Sequence, residues 1–287
     1  MARGLDHIVH AVRDLDAAAE LYRRLGFTIG ARNRHPWGTH NHLVQLPGFF
    51  IEVLTMAEPG KLGTDGFSTH FGKFNQSFLS RYEGLSLLML ESTAIEADAA
   101  ALQAAQVAAS DILRFEREGK RPDGSSVTVG FSLAFARDPA TGEAGFALCQ
   151  QHHPQNFWDP NFQQHPNGAT AVAGAVLVAE NPTDHHIFLS AFSGERELHA
   201  TSLGVSVTTP RGDIQILDAA AFQRQFGVEP PDTGAGMRLA AFRVRVRERE
   251  TLLAALETGE VDFSDRSGLT VIPPGQAMGA TLVFEQG

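Results

Sequence analysis

Two side chains carry chemistry that their surroundings do not favour. In LDHIVHA, residues 5–11, His7 interrupts an apolar, strand-like run. In FFIEVL, residues 49–54, Glu52 is flanked by Phe50, Ile51, Val53 and Leu54. A carboxylate there is costly to bury unpaired, so Glu52 calls for a partner, a ligand or a solvated cavity. For His7 two readings stand side by side: a ring hydrogen-bonded inside a cavity, or a ligand to a divalent metal. An open catalytic site for Fe, Mn, Zn or Ni draws about three protein ligands from histidines and carboxylates.

Strands must carry both groups. Pro47 and Gly48 mark a hairpin turn between THNHLVQL and FFIEVLT, which pairs Glu52 with Leu43. Side chains alternate along a strand, so Thr39, Asn41 and Gln45 share the face of Glu52 while His40 and His42 point away. A one-residue bulge would reverse that assignment. The cluster RNRHPWGTHNH, residues 32–42, brings Trp37 and several cations to a turn. It reads either as the mouth of a binding site for an anionic or aromatic ligand or as a solvated hairpin. Four phenylalanines (Phe67, Phe71, Phe74, Phe78) lie at roughly helical spacing in residues 57–83, as core packing or as a pocket wall.

Around these residues runs a repeated order. Leu5–Val12 suits a strand, Asp14 an N-cap, and Leu15, Ala18, Tyr22 and Leu25 one helical face that Gly26 ends. Three strand-like runs follow, FTIGARN among them, giving βαβββ in residues 1–56. The same order recurs in residues 84–151, 169–218 and 237–287. The expected organisation is an N-terminal domain of residues 1–158 with an insertion at 57–83, a linker at 159–168 rich in Pro, Asn and Gln, and a C-terminal domain of residues 169–287. The fold class is α+β.

Composition removes several functions. A net charge of -10 argues against nucleic-acid or anionic-membrane partners. Cys149 is the only cysteine, which forbids an intrachain disulfide and suits a reducing cytoplasm. No apolar run reaches the roughly 18 residues of a membrane span. Phosphate-cradling loops, GxSxG elbows and HExxH helices are missing. A small-molecule ligand and a cytoplasmic location are the expectations.

Four tandem βαβββ units that open with LDHIVHAVRDLDAAAELYRRLGF resemble the vicinal oxygen chelate superfamily, which includes glyoxalase I, bleomycin-resistance proteins and extradiol dioxygenases. HPWGTHNHLVQL, FFIEVL, CQQHHPQNFW and HPNGA resemble its glyoxalase-like branch. The resemblance implies paired units curved into half-open β-barrels of eight strands, each with a ligand cavity on its concave face. It also implies a divalent metal held by His7 on a first strand and Glu52 on a fourth strand. The unit copies depart from that pattern: Leu87, Ala173 and Ala241 stand at the position of His7, and Cys149 or Gln150, Gln215 and Glu285 near that of Glu52. His152, just past a strand end, is the candidate third ligand. Units pair either within one chain or across a homodimer.

Two functions follow. In one, a lyase or dioxygenase acts on a small oxygenated substrate, with Glu52 and His7 catalytic. In the other, a metal-free protein of the bleomycin-resistance type sequesters a small molecule. Trp37, Phe50, Phe157, Asn41 and Thr39 are the substrate-binding candidates in both.

Overall fold

Residues 1–120 and 124–287 are described by the computed structural model, with the side chain of Lys120 also left out. The first half of the chain supplies β1 (Leu5–Ala11), β2 (Asn33–Arg34), β3 (Thr39–Leu46), β4 (Phe49–Met56), β5 (Gly84–Glu91), β6 (Leu113–Lys120), β7 (Ser126–Ala136) and β8 (Gly145–Gln151). They form one mixed sheet in the order β2-β3-β4-β1-β5-β8-β7-β6. In the second half β9 (Ala169–Val178), β10 (His199–Thr201), β11 (Gly204–Thr208), β12 (Asp213–Leu217), β13 (Arg238–Val246), β14 (Ser264–Arg266), β15 (Leu269–Ile272) and β16 (Thr281–Gln286) repeat that order. Each sheet joins two βαβββ units of this one chain through their first strands, β1 against β5 and β9 against β13. The two-sheet α+β architecture is the one the repeats imply.

Local chemistry explains the elements. Helix α1 (Leu15–Arg24) begins where the Asp14 side chain accepts from the backbone N–H groups of Asp16 and Ala17, and it buries Leu15, Ala18, Leu21 and Tyr22. Gly26, at a φ of +77°, ends it. The remaining helices are α2 (Lys73–Arg81), α3 (Ile95–Ala104), α4 (Pro154–Phe157), α5 (His186–Ser193), α6 (Ala219–Phe226) and α7 (Arg249–Thr258). A turn at Pro47 and Gly48 pairs β3 with β4 without a bulge, so Glu52 lies opposite Leu43 as expected. The strand expected over FTIGARN is corrected: of that run only Asn33 pairs as a strand, together with Arg34, while Gly30 meets β3 through one backbone bond from its N–H to the Leu43 carbonyl.

One apolar core runs through both halves. Leu5, Ile8, Tyr22, Leu25 and Leu88 belong to the same buried cluster as Leu177, Phe242, Leu282 and Phe284. Phe27 stacks on Phe284 with ring centroids 5.9 Å apart. The segment between the halves is fastened to the first: His165 Nδ1 accepts from the Thr28 N–H at 3.0 Å, and its Nε2 donates to the Gln45 carbonyl at 2.8 Å. No helix among the described residues is long and apolar enough to cross a membrane.

Candidate functional site

The concave face of the first sheet encloses a cavity of about 80 Å³. Its polar floor comes from His7 on β1, Asn41 on β3, Glu52 on β4 and Cys149 on β8. Alternation places these side chains inside, as the hairpin register requires. His40 and His42 point elsewhere, to Glu58 and to the Gly30 carbonyl.

Glu52 is buried and accepts from Asn41 Nδ2 at 2.5 Å. Burial raises its pKa; the opposing pull of His7 and of the Asn41 bond is smaller. Asn41 is itself positioned, since its Oδ1 accepts from Asn33 Nδ2 at 3.0 Å, and Asn33 Oδ1 accepts from Arg117 Nη2 at 3.2 Å. A line of hydrogen bonds therefore runs from Arg117 on β6 to the buried carboxylate.

His7 stacks on Phe50, with ring centroids 4.2 Å apart, and shares a 2.5 Å hydrogen bond between its Nδ1 and Asp6 Oδ1. Neighbours on a regular strand face opposite sides of the sheet. Here the β1–β5 register shifts between Leu5 and His7, and the bulge at Asp6 brings both side chains together. Gln151 Nε2 donates to Asp6 Oδ2 at 3.1 Å. Sequence reasoning missed Asp6, because a bulge has no period to betray it. The buried Cys149 thiol is held well above its ordinary pKa, first by burial and then by the nearby Asp6 charge.

Aromatic rings form the walls. On one side Trp37 lies between His35 and Phe67, each stacked on it at 4.7 Å, with Phe115 edge-on at 5.1 Å. Phe67 and Phe71 frame a π-helical turn at Ser68–Gly72, so two of the four spaced phenylalanines line the cavity. Phe78 instead packs in the core. On the other side Phe50, Phe131 and Phe157 interlock, with Phe157 edge-on to Phe131 at 5.5 Å. His35 is half-buried, and its pKa falls to about 3, chiefly by desolvation and further through the Arg117 charge. The ring is neutral at physiological pH.

Of the residues expected at the site, His7, Trp37, Asn41, Phe50, Glu52 and Phe157 line the cavity. Thr39 does not; its hydroxyl meets His35 Nδ1 at 2.8 Å and braces the wall from behind. His152 lies outside as well, exposed at the end of β8 with Nε2 bonded to the Ser132 hydroxyl at 2.7 Å. The strand register also revises the copies. Glu52 stands opposite Val9, and its counterpart in unit two, opposite Met89, is Ala147 rather than Cys149 or Gln150.

With Asp6 engaging Nδ1, His7 keeps Nε2 for a cation, the outer-carboxylate arrangement common to metal-bound histidines. Glu52 offers a second ligand. The donor atoms of Asp6, His7 and Cys149 lie within 4.8 Å of one another, but the thiol holds its proton and Asp6 is already occupied by His7 and Gln151. His7 and Glu52 are the two residues on this floor that would hold a cation.

Comparison with known proteins supports the fold. The family described as "Glyoxalase-like domain" matches residues 5–192. No curated protein matches the sequence. A hypothetical protein from Staphylococcus aureus superposes with a TM-score of 0.69 at 14% identity, covering 99% of this chain and 100% of that one. A mutant of 4-hydroxymandelate synthase from Streptomyces coelicolor gives 0.58 at 11% identity, with 99% and 92% covered. A xylose isomerase-like TIM barrel/4-hydroxyphenylpyruvate dioxygenase fusion gives 0.57 at 12%; it covers all of this chain, which spans 49% of the fusion.

Proposed function

The chain belongs to the glyoxalase-like domain family, and from that premise we propose that its first cavity binds a small oxygenated substrate and transforms it with Glu52 and His7. The observation that carries this reading is the pairing of two buried polar groups, each with a dedicated partner, on the floor of an aromatic chamber. Glu52 is the proton acceptor. Burial raises its pKa, which makes the carboxylate a stronger base. Asn41 orients the carboxylate, and Asp6 orients His7 so that Nε2 faces substrate oxygens. The ring walls exclude water and hold an apolar or aromatic body.

His7 and Glu52 would hold a divalent cation, with Asp6 behind His7. Such an ion supplies Lewis-acid polarisation of substrate oxygens. A second reading, a metal-free binding protein, is favoured by one observation: at the corresponding positions of unit two stand Leu87 and Ala147, which offer no ligand.

Elemental analysis after metal reconstitution separates them. Near-stoichiometric metal, lost in both His7→Ala and Glu52→Ala, is the expected result. Wild-type protein without metal would leave the sequestering function.

A further inference from the structure

We propose that Arg117 is the anion-recognition residue of this cavity, and that the ligand it selects is an aromatic carboxylate with its ring in the chamber and its carboxylate at the throat. The inference deepens the small-molecule reading above and rests on it.

Arg117 occupies the junction of two spaces. It lines the inner cavity and also an outer groove of about 370 Å³ that reaches Gln45, Val127 and Phe162. Asn33, Leu43 and Phe157 line both as well, so the groove leads into the chamber past the guanidinium.

Among the described residues its charge has no counter-ion. Arg81, Arg211 and Arg243 each pair with a carboxylate. Among the described residues Arg117 pairs with none, and its side chain has one acceptor, Asn33 Oδ1. A half-buried cation without an anion is costly, and here desolvation lowers its pKa with no carboxylate pulling the other way. A guanidinium has five N–H donors in a planar fork matched to a carboxylate, and one is used by Asn33. No lysine lines either space. A single guanidinium suits a monoanion better than a dianionic phosphate, which draws several cations.

The rest of the wall suits a ring. Trp37, Phe67, Phe115 and Phe131 surround the inner space, and the buried Trp37 Nε1 has no hydrogen-bond acceptor among the described residues. A carboxylate on Arg117 would also reach the floor indirectly, because Asn33 and Asn41 link Arg117 to Glu52. Substrate charge at the throat and proton acceptor on the floor thus share one line of bonds.

The chain has two tryptophans, Trp37 in the wall and Trp158 edge-on to Phe157 at 4.9 Å, so tryptophan fluorescence reports occupancy directly. Full-length protein is titrated with phenylacetate and with phenylacetamide, its neutral counterpart of similar shape, with and without a chelator. The acid is expected to bind at least about tenfold more tightly than the amide. Arg117→Gln should erase that ratio by weakening the acid far more than the amide, and Arg117→Lys should retain part of it. Equal wild-type affinities, a preference that survives Arg117→Gln, or no saturable binding of the acid would overturn the proposal. Acid preference that persists under chelator in a protein without metal supports the inference while removing the metal half of the functional reading. Metal bound through His7 and Glu52 without acid preference does the reverse.

Discussion

In the first sheet the face that carries His7, Asn41 and Glu52 encloses a cavity, whereas the matching face of the second carries Val176, Ala241 and Val283 and is packed by Phe222 and Phe226 of α6. The strand order is the same in both. What differs is what occupies the space above the floor. Apolar residues on the second face are covered by a helix of the chain itself. Its charged groups neutralise one another, since Arg243 pairs with both Asp213 and Glu285. On the first face the buried carboxylate is held by Asn41 and the histidine by Asp6 and Phe50, and the space above them stays open. The duplicated architecture tolerates either solution, and the side chains on the floor decide which is adopted.

The largest effect that would sharpen this contrast is on stability. Phe222 and Phe226 are fully buried, so Phe222→Ala should cost about 3–5 kcal/mol, read by chemical denaturation. Trp37→Ala should cost less, because that ring borders space that is already empty. Equal costs would break the comparison.

Next comes the support of His7. Asp6→Asn removes the charge behind the ring, and metal affinity of the reconstituted protein should fall about 10–100-fold while Asp213→Asn leaves it unchanged. An unchanged affinity in Asp6→Asn would remove Asp6 from the site.

The smallest effect is a pH dependence. Because burial raises the folded-state pKa of Glu52, the folded chain binds its proton more readily than the unfolded chain. Stability from this group is therefore full below the unfolded carboxylate pKa and declines as pH rises through the raised folded value. Glu52→Gln should lift the melting temperature relative to wild type at pH 8 and lose that advantage near pH 4. The same difference at both pH values would show that Glu52 ionises without penalty.

Much of this was legible in the residues. Asp14 and Gly26 bracketed α1, and Pro47-Gly48 set a register that put Asn41 beside Glu52, because turn chemistry and alternation are local rules. Asp6 was hidden by a bulge and Arg117 by distance, since nothing in its own strand tells that Asn33 lies beside it. Phe222 and Phe226 lay in a segment between repeats, where the periodic pattern carries no information. The run DAAAFQRQFG nevertheless holds a helix start at Asp218 and a stop at Gly227. His152 was placed by chain proximity alone, and one residue beyond a strand end the alternation no longer holds.

The core shared by the two halves makes folding and binding one thermodynamic system. Leu5, Ile8 and Leu88 share one buried cluster with residues of the second sheet, so each half stabilises the other. By linkage, a guest in the first chamber raises the unfolding temperature of the whole chain, in step with the logarithm of its concentration over its dissociation constant. A reporter attached at exposed Ile187 on α5, remote from the chamber, would register that guest as faithfully as one beside Trp37.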